Sequence, residues 1–219
     1  MADPHGAVVE TRGEMRANVA THAAGALGAA ALTAVLVVLA ARGGPPRSVT
    51  TLAIFGGALI TSMLGSAVYH AVSLDRLRAR AALRRVDHAA IYVLIAGTYT
   101  PLMLVSLGGA WGWSMAGVSW GLALTGVAMT LLCFHRLPWL QLGLKLGMSW
   151  LVLVAAAPLL AALSTTGTAF LIAGGLFYTA GVAFYLWESL RFNHAIWHGF
   201  VLLGAACHST VMFTDVLSK

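Results

Sequence analysis

Among the ionisable side chains within or at the edges of the apolar stretches of this chain, seven stand out: His22, His70, Asp87, His88, His194, His198 and His208. Ionisable groups are costly to bury in an apolar environment, so each is a candidate functional residue. His194 and His198 are four residues apart, which on a helix puts both imidazoles on one face, where they can bind one metal ion. Ser66 and His70 have the same spacing, so the Ser66 hydroxyl lies within reach of the His70 ring or of its ligand.

The composition of the chain identifies the environment of these groups. Of the 219 residues, 59% are hydrophobic and 9% are charged, and the mean hydropathy is +0.85. Soluble domains carry about 25% charged residues, so a soluble enzyme, a disordered chain and a secreted disulfide scaffold are excluded. The net charge of +6 does not indicate nucleic-acid binding, because the basic residues lie between apolar stretches. The sequence predicts an integral membrane protein with no nucleic-acid partner.

Seven stretches are long and apolar enough to cross a membrane as helices, which takes about 20 residues each. They cover about residues 21–41, 49–72, 87–107, 111–134, 140–163, 168–187 and 194–217. We predict an all-α bundle of seven transmembrane helices that forms one domain over residues 21–219, after a short cytoplasmic tail over residues 1–20. Lys145 lies near the start of the fifth stretch, from where its side chain can reach the membrane interface. The longest connection, 73–86, is arginine-rich and predicted to be a loop.

The distribution of lysine and arginine predicts the orientation, because cytoplasmic connections carry an excess of these residues. With the N-terminus in the cytoplasm, ten of the 13 basic residues lie on the cytoplasmic side, and the C-terminus lies outside. In this orientation His70, Asp87, His194 and His198 all lie at the cytoplasmic ends of their helices. The sequence therefore predicts that four ionisable groups from three helices meet at one depth.

Three imidazoles with an open fourth coordination position are a recurrent arrangement in catalytic zinc sites. We therefore predict that His70, His194 and His198 bind Zn²⁺. Asp87 would lie nearby as a base that orients water, or as a partner of the ligands, with Ser66 as a second catalytic residue. A single histidine in a membrane helix more often makes a hydrogen bond between helices, but a third histidine and an aspartate at the same depth favour the metal site.

The remaining histidines in the spans are expected to have structural roles. His208 follows His198 by ten residues, about 15 Å along a helix, which is too deep for the same ion, so packing or a hydrogen bond is expected. His88 points about 100° away from Asp87 around the helix, which favours a structural role. His22 opens the first span and is expected to be structural or to line the entrance of the site.

At these residues the sequence resembles the haemolysin III family, whose relatives are the progestin and adipoQ receptors. The segment GSAVYHAVS carries the S-x-x-x-H pattern of the family at Ser66 and His70. The segment RRVDHAAIYVLIAGTYTP is similar to its most distinctive stretch and carries the aspartate at Asp87. The segment HAIWHGFVLLGAACH carries H-x-x-x-H at His194 and His198, and the opening GEMRANVATHAAGA also matches the family pattern. The resemblance covers almost the whole chain.

The resemblance implies a seven-helix bundle that holds zinc through His70, His194 and His198. It also implies that Asp87 contacts the metal or its bound water, with Ser66 close by. The wider superfamily includes the alkaline ceramidases. Relatives are associated with hydrolysis of lipid amides, with receptor signalling or, in bacteria, with haemolysis.

Two classes of function are therefore expected. The first is a zinc-dependent hydrolase that cleaves a membrane lipid at an amide or ester bond. The second is a non-enzymatic membrane protein, such as a haemolysin, a regulator of membrane state or a receptor-like protein, in which zinc is structural. A haem bound between two histidines is a further alternative. We expect a multi-pass protein of the cell membrane, in bacteria the inner membrane.

Overall fold

The computed structural model describes residues 11–134 and 136–217, so His5, His135 and Lys219 lie outside the described residues. Seven helices are long and apolar enough to cross a membrane. They are α1 (Arg12–Gly43), α2 (Pro46–Ala71), α3 (Leu77–Leu107), α4 (Gly109–Cys133), α5 (Pro138–Ala162), α6 (Thr165–Leu186) and α7 (Asn193–Val216). The described residues contain no strand. The predicted class, an all-α membrane protein with seven transmembrane helices, is confirmed.

Two helices begin well before the predicted membrane spans. α1 starts after Thr11, whose hydroxyl accepts a hydrogen bond from the Glu14 amide while the Glu14 side chain accepts one from the Thr11 amide, a reciprocal capping box. α3 starts at Leu77, so most of the connection 73–86 is helical rather than a loop. The prediction of a loop was wrong because the polarity of this segment shows only that it lies outside the membrane. Its leucine, alanine and arginine residues favour a helix.

α5 contains a break that the neighbouring helix compensates. The helix tightens into a 3₁₀ turn over Leu151–Ala155, which changes the hydrogen-bonding pattern of the backbone. The Tyr99 hydroxyl on α3 donates a hydrogen bond to the Ser149 carbonyl at 3.2 Å and accepts one from the Val152 amide at 2.7 Å. Because lipid offers no hydrogen-bond partners, an irregular helix in a membrane needs such contacts.

The main apolar core lies among α1, α2, α3 and α7. Its fully buried side chains include Leu36, Phe55, Met103 and Met212, one from each of these helices. The three helices that carry the candidate site residues, α2, α3 and α7, are also the three most buried spans. The candidate site therefore lies inside the bundle rather than on its lipid-facing surface.

A buried acid at the C-terminal end of α7 joins the ends of three helices. Asp215, which is 3% exposed, accepts hydrogen bonds from the Ser164 amide at 2.5 Å and the Ser164 hydroxyl at 2.9 Å. The Thr214 hydroxyl donates to the same carboxylate at 2.6 Å. The backbone carbonyl of Asp215 accepts a bond from the Ser106 hydroxyl of α3 at 2.9 Å. Because Ser164 is the N-cap of α6, the Asp215 side chain ties the start of α6 to the end of α7.

We expect Asp215→Ala to lower the free energy of unfolding by roughly 1–3 kcal/mol, because it removes the acceptor of three partly buried hydrogen bonds. Thermal unfolding in detergent measures the change. Thr210→Ala is the matched control, since the Thr210 hydroxyl donates to the Ala206 carbonyl of its own helix. Equal melting temperatures for the two variants would contradict this role of Asp215.

Candidate metal centre

Three histidines from two helices form a buried cluster near one end of the bundle. One side-chain nitrogen from each of His70, His194 and His198 lies within 4.8 Å of the other two. The ring centres of His194 and His198 are 4.5 Å apart, and those of His70 and His194 are 4.9 Å apart. His70 and His198 are buried, at 1% and 0% exposed, and His194 is half-buried. The structure thus brings together the three histidines that the sequence spacing singles out.

The start of α7 is held by a carboxylate from α1. Phe192, just before α7, has a left-handed backbone conformation with φ 60°, which is uncommon for a residue other than glycine. Its amide donates a hydrogen bond to Glu14 Oε1 at 3.1 Å. Glu14 also belongs to the capping box of α1. One side chain therefore holds the starts of α1 and α7 together next to His194.

The Thr21 hydroxyl on α1 contacts the His198 ring and determines which of its two nitrogens carries the proton. Thr21 Oγ1 lies 3.2 Å from His198 Nδ1 and 2.9 Å from the Ala17 carbonyl, to which it donates. A hydroxyl has one proton, so the oxygen of Thr21 acts as the acceptor for His198. Nδ1 of His198 then carries the ring proton, and Nε2 keeps its lone pair for a ligand.

The histidine nitrogens fit a metal ion. Nε2 of His194 and Nε2 of His198 are both buried, and no described residue makes a hydrogen bond to them. Buried polar atoms without partners are costly, and metal coordination satisfies them. Neutral imidazole nitrogens are ligands for zinc and for other transition metals. The three histidines can therefore hold a divalent ion.

Asp87 and Ser66 lie beside this cluster and are buried, at 6% and 2% exposed. Asp87 comes from α3, and Ser66 lies one turn before His70 on α2. Ser66 Oγ is buried and makes no hydrogen bond to a described residue. Both side chains line the same cavity as His70 and His194. The cavity thus brings the serine and the aspartate together with two of the candidate ligands.

The other histidines of the spans lie outside the three-histidine group. His22 on α1 packs edge-on against His198, with the ring centres 3.8 Å apart. His88 faces the Phe134 ring at 5.0 Å. His208 lies against α6, because a Cβ atom at Gly174 would be 2.5 Å from its Nε2 atom. The contact of His22 with a cluster histidine depends on the rotation of α1, which spacing within one helix does not determine.

Lys145 is half-buried and lines the cavity. Its Nζ atom lies 4.9 Å from the centre of the Tyr92 ring on α3. It lines the same cavity as Asp87 and interacts with it electrostatically. Tyr92 donates a hydrogen bond to the Gln141 carbonyl at 2.9 Å. Gln141 and Lys145 are spaced four apart on α5, so their shared face was a signal that the sequence contained.

The cluster opens into a cavity of about 1080 Å³ among α1, α2, α3, α5, α6 and α7. Its polar end contains His70, His194 and Asp87. Farther from that end its walls are apolar and aromatic, and include Leu153, Leu159, Leu171 and Tyr178. A cavity of this size accommodates a ligand larger than most drug-sized molecules. The site therefore combines polar chemistry at one end with space for an apolar chain at the other.

The fold and the buried cluster define a multi-pass membrane protein with a candidate metal centre. The sequence profile described as "Haemolysin-III related" matches residues 13–209. The chain belongs to this haemolysin-III-related family.

Two bacterial relatives match most of the chain. It is 38% identical over 190 residues to a protein named Hemolysin-3 homolog from Bacillus subtilis (strain 168), covering 87% of this chain and 88% of the relative. It is 36% identical over 201 residues to Hemolysin-3 from Bacillus cereus, covering 92% and 89%. A human protein, Monocyte to macrophage differentiation factor, is 30% identical over 162 residues, covering 71% and 66%. These relationships indicate a multi-pass protein of a bacterial cell membrane.

We expect Thr21→Val to weaken the binding of a divalent metal ion by about 10–100-fold, because it removes the partner that sets the proton position on His198. Competition with a chelator of known affinity measures the change. Thr125→Val is the matched control, since the exposed Thr125 hydroxyl donates to the Gly121 carbonyl of its own helix. Equal metal affinities in the two variants would show that the Thr21 contact does not support the site.

Proposed function

We propose that this protein is a zinc-dependent hydrolase that cleaves an amide or ester bond of a membrane lipid. The observation that carries the proposal is the position of three histidine nitrogens beside a buried carboxyl, at the polar end of an apolar cavity. Catalytic zinc sites have three protein ligands and one open position, whereas structural sites have four protein ligands. Among the described residues, three histidines have nitrogens close enough to one another to share one ion.

In this proposal His70, His194 and His198 hold the ion, and Asp87 moves the proton. Bound zinc supplies a Lewis acid, which polarises the lipid carbonyl and lowers the pKa of water to about 7. Asp87 accepts a proton from the water that attacks the carbonyl carbon. It returns that proton to the leaving amine or alcohol as the C–N or C–O bond breaks. Water is thereby divided between the two products, a fatty acid and an amine or alcohol.

Ser66 has a supporting role in the same step. Its hydroxyl donates a hydrogen bond to the carbonyl oxygen as negative charge develops there. The apolar walls around Leu153 and Leu159 hold the acyl chain and exclude bulk water, which strengthens the electrostatic interactions at the polar end.

The proposal predicts that purified protein loaded with zinc releases fatty acid from at least one member of a panel of ceramides and acyl lipids. We expect Asp87→Asn to lower the rate by about 10²–10⁴-fold, the usual contribution of a general base, while zinc content and melting temperature stay close to those of the wild type. Mass spectrometry of the released fatty acids measures the rate.

Asp75→Asn serves as the matched control, because Asp75 is exposed and lies in the connection before α3. Its rate should equal that of the wild type. The enzymatic proposal fails if the zinc-loaded wild type leaves the whole panel intact, or if Asp87→Asn retains full activity.

A second function is favoured by the ring contacts that join three helices at the cluster. His198 on α7 contacts His22 on α1 at 3.8 Å between ring centres and His70 on α2 at 5.2 Å. In this alternative, zinc links the helices and the protein acts without catalysis, as a haemolysin, a regulator of membrane state or a receptor-like protein. Loss of zinc would then lower the melting temperature, and no lipid would be cleaved.

A further inference from the structure

Three cationic side chains line the cavity within the described residues: Arg80 and Arg84 on α3 and Lys145 on α5. Each cation lies over an aromatic ring. The distances from the charged centre to the ring centre are 5.0 Å for Arg80 over Tyr69, 5.3 Å for Arg84 over Phe134 and 4.9 Å for Lys145 over Tyr92. Such cation–π contacts hold a charged group in place. The three cations are thus positioned around the polar end of the cavity.

Two of these cations interact electrostatically with the histidine cluster. Arg80 interacts electrostatically with His70, and Arg84 interacts with His194. Arg80 Nη1 also donates a hydrogen bond to the Val72 carbonyl at 3.1 Å, which holds its side chain across the end of α2. The positive charge therefore lies next to the candidate metal ligands.

Three acids of the cavity balance the three cations in formal charge. Glu14, Asp87 and Glu188 line the cavity, but the Glu14 carboxylate already accepts hydrogen bonds from Thr11 and Phe192. Glu188 is exposed and lies after α6, and Asp87 lines the cavity together with Lys145 and Arg84.

Neutral histidines contribute no charge, so a divalent ion held by them would make the net charge of the cavity positive. A cavity with a net positive charge favours an anionic ligand.

We propose that Arg80, Arg84 and Lys145 form a subsite for the phosphate group of an anionic lipid whose acyl chain occupies the apolar cavity. Guanidinium groups bind phosphate oxygens through paired hydrogen bonds. A phosphate monoester offers three outer oxygens and up to two negative charges to three cations, whereas a carboxylate offers two oxygens and one charge. This assignment deepens the proposed function by naming its substrate class, and it rests on that function only for the cleavage step.

Lipid binding tests the subsite without any need for turnover. Dioleoyl phosphatidic acid and dioleoylglycerol, which share their acyl chains and differ in the phosphate, are titrated into detergent-purified protein, with bound lipid counted by native mass spectrometry. We expect phosphatidic acid to bind at least tenfold more tightly. Arg84→Gln and Lys145→Met, made separately, should each weaken its binding by about tenfold and leave dioleoylglycerol unaffected.

Arg78→Gln is the matched control, because Arg78 is exposed on the same helix and is not among the cavity-lining residues. It should bind phosphatidic acid as the wild type does. Arg84 is also exposed, so its substitution preserves the fold even if Lys145→Met does not. Equal binding of the two lipids by the wild type, or equal binding of phosphatidic acid by Arg84→Gln and Arg78→Gln, would overturn the proposal.

Glycerol 3-phosphate distinguishes a lipid from a free phosphate ester. If it displaces phosphatidic acid at equal concentration, the subsite recognises a soluble phosphate and the lipid assignment is wrong. Selective binding without any cleavage of the lipid panel would leave the subsite standing and reject the hydrolase. Cleavage of neutral lipids without selective binding of phosphatidic acid would support the hydrolase and reject the phosphate subsite.

Discussion

The burial of several imidazole groups inside a membrane bundle is the constraint on which the rest of this structure depends. His70 and His198 are almost completely enclosed, and Nε2 of His194 and Nε2 of His198 are buried without a hydrogen-bond partner among the described residues. Lipid cannot satisfy these two nitrogens, whereas a bound metal ion would, which explains the cluster as a ligand set. The most buried spans, α2, α3 and α7, are those that carry the cluster and Asp87, and the outer helices pack around them.

The remaining helices support this centre through polar contacts between helices. α1 supplies Glu14, which holds the start of α7, and Thr21, which sets the proton position on His198. α5 supplies Lys145 on the face that Gln141 shares. These contacts orient the ligands and place charge around the cavity. In the proposed function they also divide the cavity into a polar end for the reacting bond and an apolar end for the chain.

The sequence predicted the parts of the site that depend on spacing within one helix. The intervals from His194 to His198 and from Ser66 to His70 define two helical faces. The distribution of lysine and arginine predicts that the helix ends that carry these faces lie on the same side of the membrane. Contacts between helices could not be predicted in this way, because they depend on the rotation of each helix about its axis. The contact of Thr21 with His198 is of this kind. Hydropathy also located the membrane spans but not the helix starts, so the helical extension of α3 was missed.

The metal content of the protein tests the central claim most directly. It is measured by elemental analysis after purification in detergent without chelators, beside the double variant His194→Ala, His198→Ala. We predict about one zinc ion per chain in the wild type and none in the variant. A wild type without stoichiometric metal, or a variant with the same metal content as the wild type, would contradict the assignment of these histidines as zinc ligands.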